Sequence, residues 1–292
     1  MKLGLGTVEF AAKSGKHATQ VSLEEARRIL TVAQKAGIEL LDTAAQAGNS
    51  EEVLGECLPM GHDFKIVART PNFGAEFAMA HQADQLEGAL AQSLQRLKQD
   101  RAYALMIAVE DGLLSPYQGE KLFRRMESLK TQGLIEKIGV SVRDGSQLQA
   151  VLAVYNPDIV QVPLNVLDQR LLHSGQLSAL KQKGVEIHAR DIFLQGVLLD
   201  PTHLHPWFWP IRKLLEQYHD YLIREGLTPM EGALNFATSV AEVDYALVGV
   251  SSVAQLQEVT SAMDLGLRPV DFVPFACPDV KFIDPYQWNL YE

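Results

Sequence analysis

Short apolar runs and longer amphipathic stretches alternate along the chain at a steady pace. The runs LGLGT (3–7), ELLDTA (39–44), FKIVART (64–70), AYALMIA (102–108), KIGVSV (137–142), IVQVPLN (159–165), VEIHARD (185–191) and YALVGVS (245–251) are short and rich in apolar and β-forming residues, most of them apolar at nearly every interior position. That is the pattern of strands buried on both faces. Between them lie stretches with apolar residues at helical spacing, from SLEEARRILTVAQKAG through HQADQLEGALAQSLQRLK and GEKLFRRMESLKTQG to VAQLQEVTSAM. The interval before the last strand holds two, PWFWPIRKLLEQYHDYLI and TPMEGALNFATSV. Local chemistry marks their ends: Ser22 and Glu25 read as a capping box, Thr228-Pro229 with Glu231 as an N-cap, a proline at N1 and an acid at N3, and Gly133 and Gly184 as stops. Strands covered on both faces form a parallel sheet, and eight such units over about 250 residues predict a closed α/β (β/α)8 barrel rather than an open sheet. The expected organisation is a single domain over 1–292, with a wrap-around extension from about residue 267.

In such a barrel the chemistry belongs to the C-terminal ends of the strands and the loops after them. The residues there are Asp42, Arg69, Ala108 with Glu110 and Asp111 just beyond, Ser141, Gln161 and Asn165, and His188, Arg190 and Asp191. Each has a plain structural alternative: Asp42 and Arg69 as an ion pair between neighbouring strands, His188 as a hydrogen-bonded core histidine. His203 and His205 lie in a proline-containing loop without a third ligand, so no metal site is expected. There is no G-x-G-x-x-G or Walker pattern, and GLGT is too short to be a dinucleotide fingerprint.

Composition narrows the setting. At 292 residues and 47% hydrophobic the chain can bury a large core. A formal charge of -10 without a compensating basic run argues against nucleic-acid and anionic-membrane partners. No apolar run approaches about 18 residues, and MKLGLGTVEF lacks a long apolar h-region, so a cytoplasmic protein is expected. Cys57 and Cys277 belong to no metal-spaced or CxxC group and read as reduced structural thiols.

Several motifs occur in order: GLGT at the start, DTA-x-x-x-G-x-S-E-x-x-LG (Asp42 to Gly55), KIGVSV, VQVPLN, ARDIFLQG (Ala189 to Gly196) and GVSSVAQLQE (Gly249 to Glu258). Together they resemble the aldo-keto reductase family over nearly the whole chain. The resemblance implies carbonyl reduction with NADPH or NADH by an aspartate, a proton-donating tyrosine, a lysine that lowers the tyrosine's pKa, and a histidine that orients the carbonyl. The aspartate falls on Asp42. The tyrosine falls on Ala47, the lysine on Arg69 and the histidine on Ala108, so three of the four depart from the pattern. An alanine donates no proton, and positioned acid catalysis contributes about 10²–10⁴-fold to such a step.

For the cofactor, NAD or NADP, the resemblance puts Gly6 and Thr7 along the nicotinamide, Ser141 and Gln161 at its carboxamide and Arg190 against its ring. Gly196 lies in the loop that follows. Gly249, Ser251, Gln255 and Glu258 would surround the adenosine end, and the family's asparagine near the adenine falls on Val259. A carboxylate, Asp191, stands where the family keeps a serine at the pyrophosphate, which predicts weakened dinucleotide binding. With no Lys or Arg in SSVAQ to pair a 2′-phosphate, NADH is favoured over NADPH.

Two readings follow. One is a catalytically degenerate barrel, a pseudoenzyme kept as a binding, regulatory or scaffolding protein with a small-molecule ligand or a protein partner. The alternative is an active oxidoreductase on a sugar or other carbonyl with another donor, such as Glu110, Asp111 or His188, or a hydroxyl of the substrate itself. The aromatic stretch PWFWP (206–210) reads as core packing or pocket lining.

Overall fold

The structure, a computed structural model, describes residues 1–11, 21–45, 47–70, 81–108, 116–200, 202–266, 268–288 and 290. Eight parallel strands, β1 (Lys2–Gly6), β2 (Leu40–Asp42), β3 (Lys65–Arg69), β4 (Ala102–Ala108), β5 (Ile135–Ser141), β6 (Ile159–Pro163), β7 (Glu186–Arg190) and β8 (Tyr245–Gly249), close into a barrel in sequence order. β8 returns to β1 with Gly249 opposite Gly6, and Gly6 in turn faces Asp42. Outside run α1 (Leu23–Lys35), α2 (Ser50–Cys57), α3 (His81–Leu97), α4 (Pro116–Thr131), α5 (Gly145–Leu152), α6 (Arg170–His173), α7 (Gln176–Gln182), α8 (Arg212–Glu225), α9 (Pro229–Ser239) and α10 (Val253–Asp264), with α11 (Val280–Ile283) in the tail. Their apolar faces and the outward strand residues form the main core. The fold is the (β/α)8 barrel that the eight apolar runs predict.

The interior is filled, not hollow. Leu40, Val67, Ala104, Met106, Ile159 and Leu247 form an apolar layer across it. Two glycines make room for this layer. A Cβ on Gly4 would come within 2.7 Å of the Leu247 side chain, and one on Gly139 within 2.8 Å of Met106. The first glycine of GLGT is thus a packing residue.

Beneath the layer lies a polar floor. Tyr103 donates to Glu186 at 2.8 Å, Tyr245 donates to Glu39 at 2.7 Å, and Lys2 reaches Glu39 at 2.5 Å. Lys137 pairs with Glu186, while Lys65 donates to the Tyr245 hydroxyl at 3.2 Å. Burial alone would raise the Glu186 carboxyl, but hydrogen bonds from His188, Lys137 and Tyr103 bring it down to about 2. Those from Lys2 and Tyr245 hold Glu39 at about 2 as well.

The expected helix ends hold with one change. Thr228 and Glu231 close a full capping box with Pro229 at N1, and Gly133 and Gly184 take left-handed φ of 76° and 74° after their helices. At α1, Ser22 accepts from the Glu25 amide at 3.1 Å, but the Glu25 carboxylate does not reach back. It accepts the Val253 amide at 2.7 Å instead, tying α1 to the first turn of α10 across the barrel seam. PWFWPI, expected to open the helix before TPMEGALNFATSV, is a separate 3-10 turn over Pro206–Ile211. Its internal Pro210 supplies no amide for an α-helical ladder.

Candidate active-site cavity

The second motif builds the rim from its framework residues. The buried Thr43 hydroxyl lies 3.4 Å from that of Ser50, which donates to the Ala44 carbonyl at 3.2 Å. Glu51, buried at the start of α2, receives Arg96 of α3 at 2.7 Å. Gly55 lets the two helices touch: a Cβ there would stand 2.2 Å from the Arg96 carbonyl oxygen. The half-buried Ala47 sits in the turn that carries the chain from β2 to α2, its amide donating to Ala44 and its carbonyl accepting from Ser50.

At the C-terminal end of the barrel a cavity of about 470 Å³ opens, walled by Gly6, Val8, Asp42, Ala44, Arg69, Thr70, Ser141, Gln161, Arg190, Asp191, Gln195, Pro285 and Tyr286. At its base Arg69 grips Asp42 with both arms of its fork, Nε to Oδ1 at 3.1 Å and Nη2 to Oδ2 at 2.5 Å. Gln161, fully buried on β6, joins the pair: its Oε1 accepts from Arg69 at 2.5 Å and from Ser141 at 3.2 Å, while its Nε2 donates to Asp42 at 3.0 Å. Burial would favour a neutral guanidine, but the charge and hydrogen bonds of Asp42 more than offset it, and Arg69 is held above its ordinary value. Tyr286 and Asp191 add to that attraction at longer range.

The second half of the wall comes from β7 and the tail. Arg190 pairs with its neighbour Asp191 and donates to the Val142 carbonyl at 3.2 Å, and its buried Nε has no hydrogen-bond partner among the described residues. Asp191 has φ 60°, and Leu194 and Gln195 follow at 47° and 53°. Left-handed non-glycine residues cost of order 1–3 kcal/mol each and concentrate at functional turns. Asn165 steadies the turn by donating to the Asp191 carbonyl at 3.1 Å. The Tyr286 ring, in the short turn Pro285–Gln287, lies with its centroid 5.8 Å from the guanidinium carbons of both Arg190 and Arg143.

Other residues singled out in the sequence stand elsewhere. Thr7 is buried below the rim and spends its hydroxyl on the Asp42 carbonyl at 3.2 Å. His188 is fully buried in the floor, its Nε2 2.6 Å from Glu186, and does not reach the cavity wall. Gly196 ends the strained turn with φ 90°. Ser251 and Gln255 are engaged with each other, the Gln255 side-chain oxygen accepting the Ser251 amide at 2.8 Å. Gly249 lies against the side chain of Glu9, and Val259 is core. Glu258 borders a separate hollow of about 690 Å³ with Leu199, Met230 and Leu265. His203 is exposed and bonded to Asp200, and His205 caps the 3-10 turn. Among the described residues no His, Cys, Asp and Glu side chains converge as a metal site. Cys57 and Cys277 are separate and buried. Glu110 and Asp111 lie outside the described residues, and of Ala108 the strand position alone is described, opposite Ser141. Sequence reasoning missed Tyr286 and Gln195. For Tyr286 the one local signal is Asp284-Pro285, an N-cap and N1 pair.

A family model described as "Aldo/keto reductase family" matches residues 2–273. The chain belongs to the aldo/keto reductase family. L-Galactose dehydrogenase of Arabidopsis thaliana is 25% identical over 257 residues, 83% of this chain and 79% of that protein. Among solved structures, an aldo-keto reductase from Bacillus halodurans in holo form superimposes with a TM-score of 0.76 at 18% identity, over 100% of this chain and 94% of that one. Glycerol dehydrogenase from Gluconobacter oxydans gives 0.69 at 18% identity, over 92% and 93%. At those identities the two structures speak for the fold alone.

Within the family frame, the groups at the cavity base do not fit a nicotinamide as they stand. The Gln161 and Ser141 side chains assigned to its carboxamide are bonded to each other and to the Asp42–Arg69 pair. One face of Arg190 carries Tyr286. The Asp191 carboxylate lines the cavity, and a pyrophosphate brought beside it would meet like charge.

No helix among the described residues is long and apolar enough to cross a membrane.

Proposed function

We propose that this aldo/keto reductase-family chain has lost carbonyl reduction and serves as a small-molecule binding protein, a pseudoenzyme with a regulatory or binding role. The observation that carries the reading is the closed network at the cavity base. Arg69, where the family's lysine would tune a tyrosine, spends its fork on Asp42 and Gln161, and the tyrosine position is Ala47. A guanidinium charged at every ordinary pH, held bidentate, is an architectural group and not a pKa-tuning one. Dinucleotide binding is weakened for the same reason, since Gln161 must leave two partners to receive a carboxamide, and NADH remains favoured over NADPH. Intact caps, the Glu51–Arg96 pair and the Gly55 contact support loss confined to the chemistry.

A second reading, an active oxidoreductase on a sugar or other carbonyl, is favoured by one observation: the Tyr286 phenol is in the wall of the same cavity. The curated relative, an L-galactose dehydrogenase, agrees with it in substrate class. Titrating NADH and NADPH against tryptophan fluorescence, then following their oxidation with simple aldehydes and aldoses, separates the two. Weak or absent saturation without turnover is expected; brisk carbonyl-dependent oxidation overturns the first reading.

A further inference from the structure

The C-terminal tail is attached to the barrel in two different ways. Up to Cys277 it is fastened by hydrogen bonds: the Phe272 carbonyl accepts from the buried Gln169 side chain at 2.8 Å, and the Cys277 amide donates to the Leu167 carbonyl at 2.8 Å. Phe272 and Phe275 are buried there against Phe236, Tyr218 and Tyr221. Beyond Cys277 that pattern stops. Among the described residues, every hydrogen bond made by 278–288 stays within 277–288. The amides of Phe282, Asp284, Gln287 and Trp288 donate to the carbonyls of Asp279, Val280, Asp284 and Pro285, and the Asp279 and Asp284 carboxylates cap the two short turns. The segment carries its own backbone bonds and takes none from the barrel.

What docks the segment is contact between side chains. Phe282 and Ile283 are buried, and Trp288 packs edge-on against Phe208 with ring centroids 4.9 Å apart. Tyr286 lies over the guanidinium of Arg190. Asp284 adds its charge, at longer range, to the Asp168 carboxylate that binds Arg170. Contacts of this kind part together without breaking a hydrogen-bonded ladder, which puts such a segment at the low end of a fold's local stabilities. Its docked position also shapes the cavity, since Pro285 and Tyr286 form part of the wall.

We infer that residues 278–288 are a strap, hinged at Cys277, that undocks as one unit from the folded barrel and in doing so widens the cavity mouth and uncovers Arg190. A hinge needs a fixed side and a moving side that meet over a few residues. Here the last described hydrogen bond to the barrel is at Cys277, and the first fully docked side chain beyond it is Phe282. The exposed Pro278 and Asp279 lie between them. The inference goes beyond the functional reading and holds for a binding protein and for a reductase alike.

The test uses the full chain without ligand. Trypsin can cut after Lys281 only when the strap has left its seat, because Phe282 and Ile283, just past that bond, are buried. The rate of this cut is followed in rising urea below the unfolding transition. Undocking predicts a shallow dependence, less than about a third of the slope for global unfolding. Phe282→Ala should speed the cut at least about tenfold. A dependence equal to that of global unfolding overturns the strap. Access is read separately with Ser141→Cys, a near-isosteric thiol in the cavity wall, labelled by iodoacetamide and by the bulkier fluorescein maleimide, with the chain lacking that cysteine as the blank. Adding Phe282→Ala should speed the bulky reagent at least about fivefold and the small one by less than about twofold. Equal effects on both reagents, or none, overturn the coupling to the cavity. Asp284→Asn combined with Tyr286→Ala, which touches no core side chain, serves both measurements where Phe282→Ala fails to fold.

Discussion

At the scale of single residues the cavity turns on one exchange of cations. A lysine presents one compact charge, whereas Arg69 presents a planar fork, and that fork accounts for the bond to Gln161 as well as the two to Asp42. The pair is mostly buried, with a fifth of the Arg69 side chain and a tenth of the Asp42 side chain exposed. Asp42→Asn, which leaves the arginine without its counter-charge, is expected to lower stability by about 2–3 kcal/mol in chemical denaturation, somewhat less than the toll for a fully enclosed couple. Arg69→Lys keeps the charge but frees Gln161, and a several-fold gain in NADH affinity by fluorescence is expected. Combining it with Ala47→Tyr and Ala108→His should raise carbonyl-dependent NADH oxidation by at least about 100-fold over the parent. Absence of a gain despite tight cofactor binding would place the loss in the substrate pocket too. The pair itself was legible from strand-end positions in the sequence. The part of Gln161 was not, because an amide's choice of partners depends on side chains from three strands.

At the scale of elements, legibility followed the range of the interactions. The strands were readable because most are dense apolar runs at a steady spacing, and the α9 cap because all its parts lie within four residues. Glu25 shows the limit: its spacing from Ser22 fits a reciprocal box, but an amide more than two hundred residues away, Val253, competes for the carboxylate and wins. Tyr286 escaped for the same reason, since where a tail folds back is set by its burial against distant helices. The second motif offers a sharp test of packing. Gly55→Ala gains helix propensity, yet its methyl would meet the α3 backbone at the Arg96 carbonyl and Leu97, which cannot yield as a side-chain tip can. A loss of more than about 3 kcal/mol is expected, read as a lower denaturation midpoint at unchanged slope. Stability equal to or above the parent's would mean that α2 and α3 slide apart freely.

For the whole molecule, acid tolerance depends on the floor. Glu39 and Glu186 sit at about 2 in the fold against an ordinary 4.5. Carboxyls depressed in this way stabilise the fold fully above the unfolded value, and the contribution drains away as pH falls from 4.5 toward 2. Denaturation series at pH 7, 5, 4 and 3 should therefore show a decline concentrated below pH 4.5, and Glu186→Gln should flatten it while costing stability at pH 7. A flat profile in the parent would mean that those bonds do not hold the protons off.

The apolar layer between floor and cavity has a further consequence. With Leu40, Val67, Met106, Ile159 and Leu247 closing the bore, the described residues give the cavity no passage through the barrel to its opposite end. An antibody fragment seated over the Tyr286 rim should slow ligand exchange, while one clasping the opposite mouth, around Lys2 and Glu39, should leave it untouched.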